Sequence, residues 1–444
     1  MGVCCADAQE QQEEIKMKKW LWWLMVSLVW VALSGCKENE NIPEEKRALA
    51  LDDIAPYRAD GAYSSVLKSC VVVNDLHHSC QLTKLPLLRY EQSHPSKKTI
   101  MQRVVVSDKW MGDRFAEVLD ILDDDIKELL GAVTAIVIDN DIRPSYYSIM
   151  TGALYLDPRY LWLTPKESDT ITPQKDYRHD YGKKLSFLSA HRYVKNNNYA
   201  YTWYGIDNNV TRDLNSIRYM IARLLYHELA HANDYAPKEI DAKIDRNKSI
   251  YSALFDAKDK RISNKLYATM PLHSDTLKHL GQIFYRGETA NADDKALDAE
   301  VVGALFEEDG ANEMYNYSSL REDLAMMFEA VMMKRHYGIE MDTGFLDKPT
   351  VDKPVCSDYI LRWGSRNRIA EPRIIPRARF VAEAILPDET SWDDFFATGI
   401  GEAQTLKAGK DWCRSIKLGS TADNKSLGST FEKVPEQMFF RELE

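Results

Sequence analysis

Apolar side chains recur every three or four residues at Leu214, Ile217, Ile221, Leu224, Leu225 and Leu229, with neither Gly nor Pro between 214 and 235. That period predicts a half-buried helix. Thr211, Asp213 and Asn215 are candidate caps for its start, and Pro237 bars its continuation. The same spacing, through Trp110, Phe115, Val118, Leu119, Leu122, Ile126 and Leu129, predicts a helix over 109–130. Another opens after Ser318-Ser319, runs to about Tyr337 and stops at Gly338. Short β-rich runs predict strands at 70–73, 104–106, 134–138 and 151–157, the last ended by Pro158. The pattern therefore gives an α+β body, with a small mixed sheet before the helix at 214 and mainly helical structure after it.

The first 50 residues read differently. Lys16-Met17-Lys18-Lys19 precedes an apolar run at 20–33, which is short for a bilayer span and has the form of a secretion signal. Its end, Leu33-Ser34-Gly35-Cys36, resembles the lipobox of bacterial lipoproteins. The resemblance implies a signal peptide over 17–35, cleavage before Cys36 and acylation of that residue. Lys37 follows in place of the Asp that such proteins often use for inner-membrane retention, which implies an outer-membrane anchor facing the periplasm or exterior of a bacterial cell envelope. An uncleaved hydrophobic anchor is the rival reading, and both put the body outside the cytoplasm. Residues 1–16 are acidic, carry Cys4 and Cys5 and fit no signal pattern, so Met17 is the expected initiator. Gly2 fails the myristoylation motif because residue 6 is Ala. Residues 36–50 are a polar tether.

Four cysteines remain after Cys36, namely Cys70, Cys80, Cys356 and Cys413. In an oxidising compartment they suggest two disulfides with three possible connectivities, of which Cys70 with Cys80 and Cys356 with Cys413 is simplest by proximity. A net charge of −11, without a basic stripe interleaved with aromatics, argues against nucleic acid as a partner. The rest of the chain is long enough to bury a large core.

Chemistry concentrates at His227-Glu228-Leu229-Ala230-His231. On a helix the two imidazoles lie about 40° apart on one face and about 6 Å apart along the axis, so both can turn a nitrogen toward one ion. Glu228 points about 100° away from His227, beside the metal, where it could take a proton from water. Two histidines leave Zn2+ short of the usual three protein ligands. Metzincins complete the motif with Gly and His or Asp three and six residues on, but this chain has Asp234 and Pro237 there. Glu322, in the first turn of the later helix, is the candidate third ligand, with Asp323 and Asp234 as carboxylates for orienting a ligand histidine. Ser319 and Glu322 also spell a capping box, in which Glu322 would serve only its own backbone. His336 lies about 21 Å along the same helix and is no substitute.

The segments His227-Glu228-Leu229-Ala230-His231-Ala232-Asn233-Asp234-Tyr235 and Glu322-Asp323-Leu324-Ala325-Met326-Met327-Phe328 resemble gluzincin-type zinc peptidases, most closely the catalytic domains of anthrax lethal factor and the Pro-Pro endopeptidases. The resemblance covers about 20 residues in two islands. It implies a zincin-like fold, zinc on His227, His231 and Glu322, Glu228 as general base, and Tyr315, seven residues before Glu322, as donor to the oxyanion. The chain departs from the family in three places. A 90-residue segment separates His231 from Glu322, Met326 stands where the family carries a second Glu, and Asp234-Tyr235 is shifted by one residue.

These readings divide the chain into a peptidase domain over 51–345, with a helical insertion at about 236–312, and a helical or irregular region over 346–444 packed on the same body. The expected function is that of a membrane-anchored zinc endopeptidase acting on a peptide or protein substrate. The substrate would pair with an edge strand, for which 152–157 is the candidate. The alternative is a cell-envelope binding or scaffold lipoprotein with a structural or vestigial zinc site. A released toxin-like protease is a third possibility, which the lipobox speaks against.

Overall fold

The computed structural model describes residues 51–418 except 52, 74–77 and 175. The N-terminal extension, signal, Cys36 and tether lie outside the described residues. No helix among the described residues is long and apolar enough to cross a membrane.

Five strands form the first sheet: β1 (Ala55–Pro56), β2 (Val104–Val106), β3 (Ile136–Ile138), β4 (Tyr146–Ser148) and β5 (Ala153–Leu156), in the order β1-β2-β3-β5-β4. Strands β2, β3 and β5 are parallel, with Val104 opposite Ile136 and Ile136 opposite Leu154, whereas β1 and β4 pair antiparallel at the two ends. Every residue of the three parallel strands is buried, as a sheet covered on both faces requires. The mixed sheet expected ahead of the long helix is therefore present.

Two elements around it differ from expectation. The expected strand at 70–73 does not form: Cys70 and Val71 end helix α1 (Ser64–Val71), because Leu67, Cys70 and Val71 share a buried helical face. The predicted helix at 109–130 is α2 (Lys109–Ile121), then an extended turn at Leu122 and Asp123, then a short helix at Asp124–Leu129. Both disulfides pair as proximity suggested, Cys70 with Cys80 and Cys356 with Cys413.

A second sheet was not visible in the pattern. Strands β6 (Phe187–Lys195), β7 (Asn198–Tyr199), β8 (Glu340–Asp347), β9 (Leu361–Arg366) and β10 (Gln404–Thr405) run antiparallel in the order β10-β9-β8-β6-β7. The region after 346 is thus partly sheet, which corrects the helical or irregular expectation. Its apolar alternation is hidden by an ion triad in register across three strands. Asp342 of β8 lies opposite Arg192 of β6 and Arg366 of β9, and accepts from both at 2.7 and 2.6 Å. All three are buried, as are Arg368 and Arg377, the latter paired with Asp323.

Helix α3 (Leu214–Tyr235) begins with a capping box between Asp213 and Ser216. After it come the helices of the expected insertion, chiefly α4 (Ile262–Thr269), α5 (Asp275–Tyr285) and α6 (Ala299–Glu308). Helix α7 (Leu320–Tyr337) is capped by Ser319 and closed by Gly338 at φ +60°, and α8 (Ile375–Ile385) packs against it. Helix α7 also lies along α3, and that pairing positions the candidate site.

Candidate metal centre

Helices α3 and α7 run antiparallel where they meet. Arg223 and His227 face Glu329, while His227 and His231 face Glu322. The Nε2 atoms of His227 and His231 are 3.3 Å apart, and Glu322 Oε2 lies 3.1 Å from the first and 3.3 Å from the second. These three atoms form a nearly equilateral triangle. A tetrahedral ion with bonds of about 2.0–2.1 Å holds its ligands about 3.3–3.4 Å apart, so one ion above this triangle would reach all three donors. Two imidazoles and one carboxylate also match the donor set of a catalytic zinc site with one position left for water. The group could hold a metal ion, and the residues fit zinc.

The cap reading of Glu322 gives way here. Ser319 does accept the Glu322 backbone N–H at 3.2 Å, yet the Glu322 carboxylate turns to the histidines rather than back to its own helix end. Burial works against charge on both partners, but their mutual attraction prevails. The Glu322 carboxyl is held well below its ordinary range by the two histidines, and His231 is raised by Glu322 and, more weakly, by Glu228. Glu228 is itself buried, at 3% exposure, close enough to His231 for its charge to be felt there.

The carboxylate that meets a histidine of this group is not one of the two expected. Asp323 accepts from Asn316 at 3.0 Å and pairs with Arg377, and Asp234 accepts from the backbone and hydroxyl of Ser263, both at 2.7 Å. Glu329 Oε2 instead stands 3.1 Å from His227 Nδ1 and 3.3 Å from Arg223 Nη1. A neutral imidazole donating at Nδ1 presents its lone pair at Nε2, the atom in the triangle. Met326 offers no carboxylate, and the acid that meets His227 lies one turn further along at Glu329. A signal for it existed. Glu329 interrupts the apolar run Leu324 to Met333 and lies seven residues, about 20° of helix rotation, from Glu322. Arg223, one turn before His227, interrupts α3 in the same way.

No protein-family model, curated protein or solved structure matches this chain.

Tyr315 sits in a 3-10 turn, Met314–Ser318, immediately before α7. Its ring lies 6.2 Å from that of His227 at 26°, and the Tyr285 ring of α5 packs on its edge at 4.7 Å. The turn is tightly braced. Glu313 accepts the Tyr315 N–H at 2.6 Å and donates its own N–H to Asn316, which in turn donates to Asn312 and to Asp323. Asp323 thus supports the segment carrying Tyr315 rather than a metal ligand. Gly281 lets α5 approach, since a Cβ there would come within 2.7 Å of the Tyr317 carbonyl oxygen. His336, as expected, stands apart and meets Asp125 at 2.7 Å.

The expected substrate strand needs correction. Residues 153–156 form β5, which is paired with β3 on one side and β4 on the other and so has no open edge. The end strand on that side of the sheet is β4, which packs beside α3 and stacks Tyr147 on Tyr235 at 5.7 Å.

Proposed function

We propose that this chain is a zinc-dependent endopeptidase of zincin-like fold, related to the gluzincins and held at a bacterial membrane through Cys36. The observation that carries the reading is the triangle of His227, His231 and Glu322 donors with Glu228 beside it. Zinc bound there would polarise a peptide carbonyl and make water acidic enough to attack at neutral pH. Glu228, next in sequence to His227 and outside the triangle, would take the proton from the attacking water and return it to the leaving nitrogen. Tyr315 donates to the carbonyl oxygen, where negative charge develops in the transition state. The end strand β4 offers an extended substrate backbone an antiparallel partner alongside α3.

A scaffold lipoprotein with a structural metal is separated from this reading by two measurements. Wild-type protein should hold one zinc, with His227→Ala and Glu322→Ala losing it. Glu228→Gln should keep the metal and lose hydrolysis of a mixed peptide substrate. Stoichiometric zinc with no hydrolysis by any form would favour the scaffold.

A further inference from the structure

Arg178 belongs to no part of the HExxH pattern, yet it is 4% exposed and faces the hydroxyl of Tyr315, whose ring lies beside that of His227. Asp176 holds it side-on, accepting from Nε at 3.1 Å and from Nη2 at 2.8 Å, and also accepts the Arg178 backbone N–H at 2.7 Å. Two nitrogens of the fork are thereby committed, and the third, Nη1, points at the Tyr315 hydroxyl oxygen at 3.5 Å. The contact is long for a hydrogen bond, so its weight is electrostatic. It still acts with little water between the groups, because Tyr315 is only 6% exposed. Burial opposes the guanidinium charge, but the Asp176 carboxylate clamped on it supplies the counter-charge, and Arg178 stays protonated.

A phenol whose oxygen accepts from a cation becomes a stronger donor through its O–H. Tyr315 is also fixed from the other side, by Glu313 on its backbone and by the Tyr285 ring. We propose that Arg178, clamped by Asp176, is the positioning residue for Tyr315, orienting and polarising its O–H toward an anionic oxygen at the metal centre. This rests on the hydrolase reading of the site, in which that oxygen is the former carbonyl oxygen of the substrate.

The test uses the zinc-loaded full chain and acetohydroxamate, a small metal-directed probe with anionic oxygen, with binding measured by calorimetry. Tyr315→Phe should weaken binding about tenfold, and Arg178→Gln about fivefold, the range of one lost hydrogen bond. The double variant should bind within about twofold of Tyr315→Phe, because Arg178 acts through that hydroxyl. Arg178→Lys, which keeps the charge without the fork, should fall between wild type and Arg178→Gln. Zinc stoichiometry and near-UV circular dichroism establish that each variant is folded. If Arg178→Gln does not fold, Asp176→Asn releases the same clamp and should show the same dependence on Tyr315. Wild-type affinity in Arg178→Gln, losses that multiply in the double variant, or no binding by the zinc-loaded wild type would each overturn the proposal. Coupled losses in a protein that hydrolyses no peptide would leave the pair standing and sink the hydrolase reading. Hydrolysis with an unchanged kcat in Arg178→Gln would do the reverse.

Discussion

Replacing Glu329 with Gln tests whether metal binding at the candidate centre depends on a carboxylate outside the His227, His231 and Glu322 triangle. The side chain keeps its size and can still accept from His227 Nδ1, at the site of the 3.1 Å contact, but it loses the negative charge. Carboxylates in this position raise the basicity of the ligand imidazole and fix its tautomer, and their loss typically weakens metal binding about 10- to 100-fold. At about 1.4 kcal/mol per tenfold, that is about 1.4–2.8 kcal/mol. The upper part of the range is expected here, because Glu329 is fully buried and little water can replace its charge. A second consequence follows from Arg223, 3.3 Å away on the other side. Its buried guanidinium loses an anion, so the metal-free variant should also unfold at lower urea, by about 1–3 kcal/mol. Competition titration of zinc against a chromophoric chelator, run beside urea denaturation of the apo protein, separates the two effects. Zinc affinity within twofold of wild type would refute the role assigned to Glu329, whatever happens to stability.

Three further outcomes are expected. Glu228→Gln should bind zinc as wild type does while peptide hydrolysis falls by about 10²- to 10⁴-fold, and parallel loss of zinc would make Glu228 a ligand instead of a base. Asp342→Ala leaves Arg192 and Arg366 facing each other without their shared anion, which should cost about 3–5 kcal/mol and lower the melting temperature by roughly 10 °C, read by calorimetry. Asp157 is buried, and although burial alone would raise its pKa, Arg159 and Arg143 hold it below the ordinary 3.8. A depressed folded-state pKa contributes stability above the unfolded value and loses it as pH falls through the folded one. Asp157→Asn should therefore lower the urea midpoint at pH 7 by more than at pH 3, and an equal deficit at both would count against the ion pairs as the cause.

What could be read from the sequence was the part of the fold whose side chains are apolar on one face. The helix at 214–235, the Val104–Val106 strand and the Gly338 stop all follow from period, propensity and backbone geometry. The His227 and His231 side of the triangle was legible for a related reason, since a helix places residues four apart together whatever surrounds them, whereas Glu322 arrives from a distant helix and had a capping role as its rival. The second sheet was not, because Arg192, Asp342 and Arg366 satisfy one another inside it and so present charged residues at core positions. The Cys70 segment misled in the opposite direction. Three consecutive valines after Cys70 favour a strand locally, yet Leu67, Cys70 and Val71 find their burial on a helical face. Glu329 and Arg178 share the difficulty of the second sheet, being charged residues whose partners are set by the meeting of distant segments.

That point bears on the long segment between His231 and Glu322. As sequence it is a departure from the family resembled, and a dispensable insertion would be the simple account. Its helix α5 nevertheless packs on the Met314–Ser318 turn, with Gly281 against the Tyr317 carbonyl, Gln282 donating to the Ser318 carbonyl at 3.2 Å and Tyr285 on the edge of Tyr315. Helix α4 packs on α7, and its Ser263 takes both oxygens of Asp234 at the end of α3. The insertion therefore joins the two helices that carry the candidate metal donors and supports the turn ahead of the second. Shortening it should loosen Tyr315 before it loosens the histidines, because His227 and His231 are held within α3 itself, whereas the turn depends on α5 for one whole side of its packing.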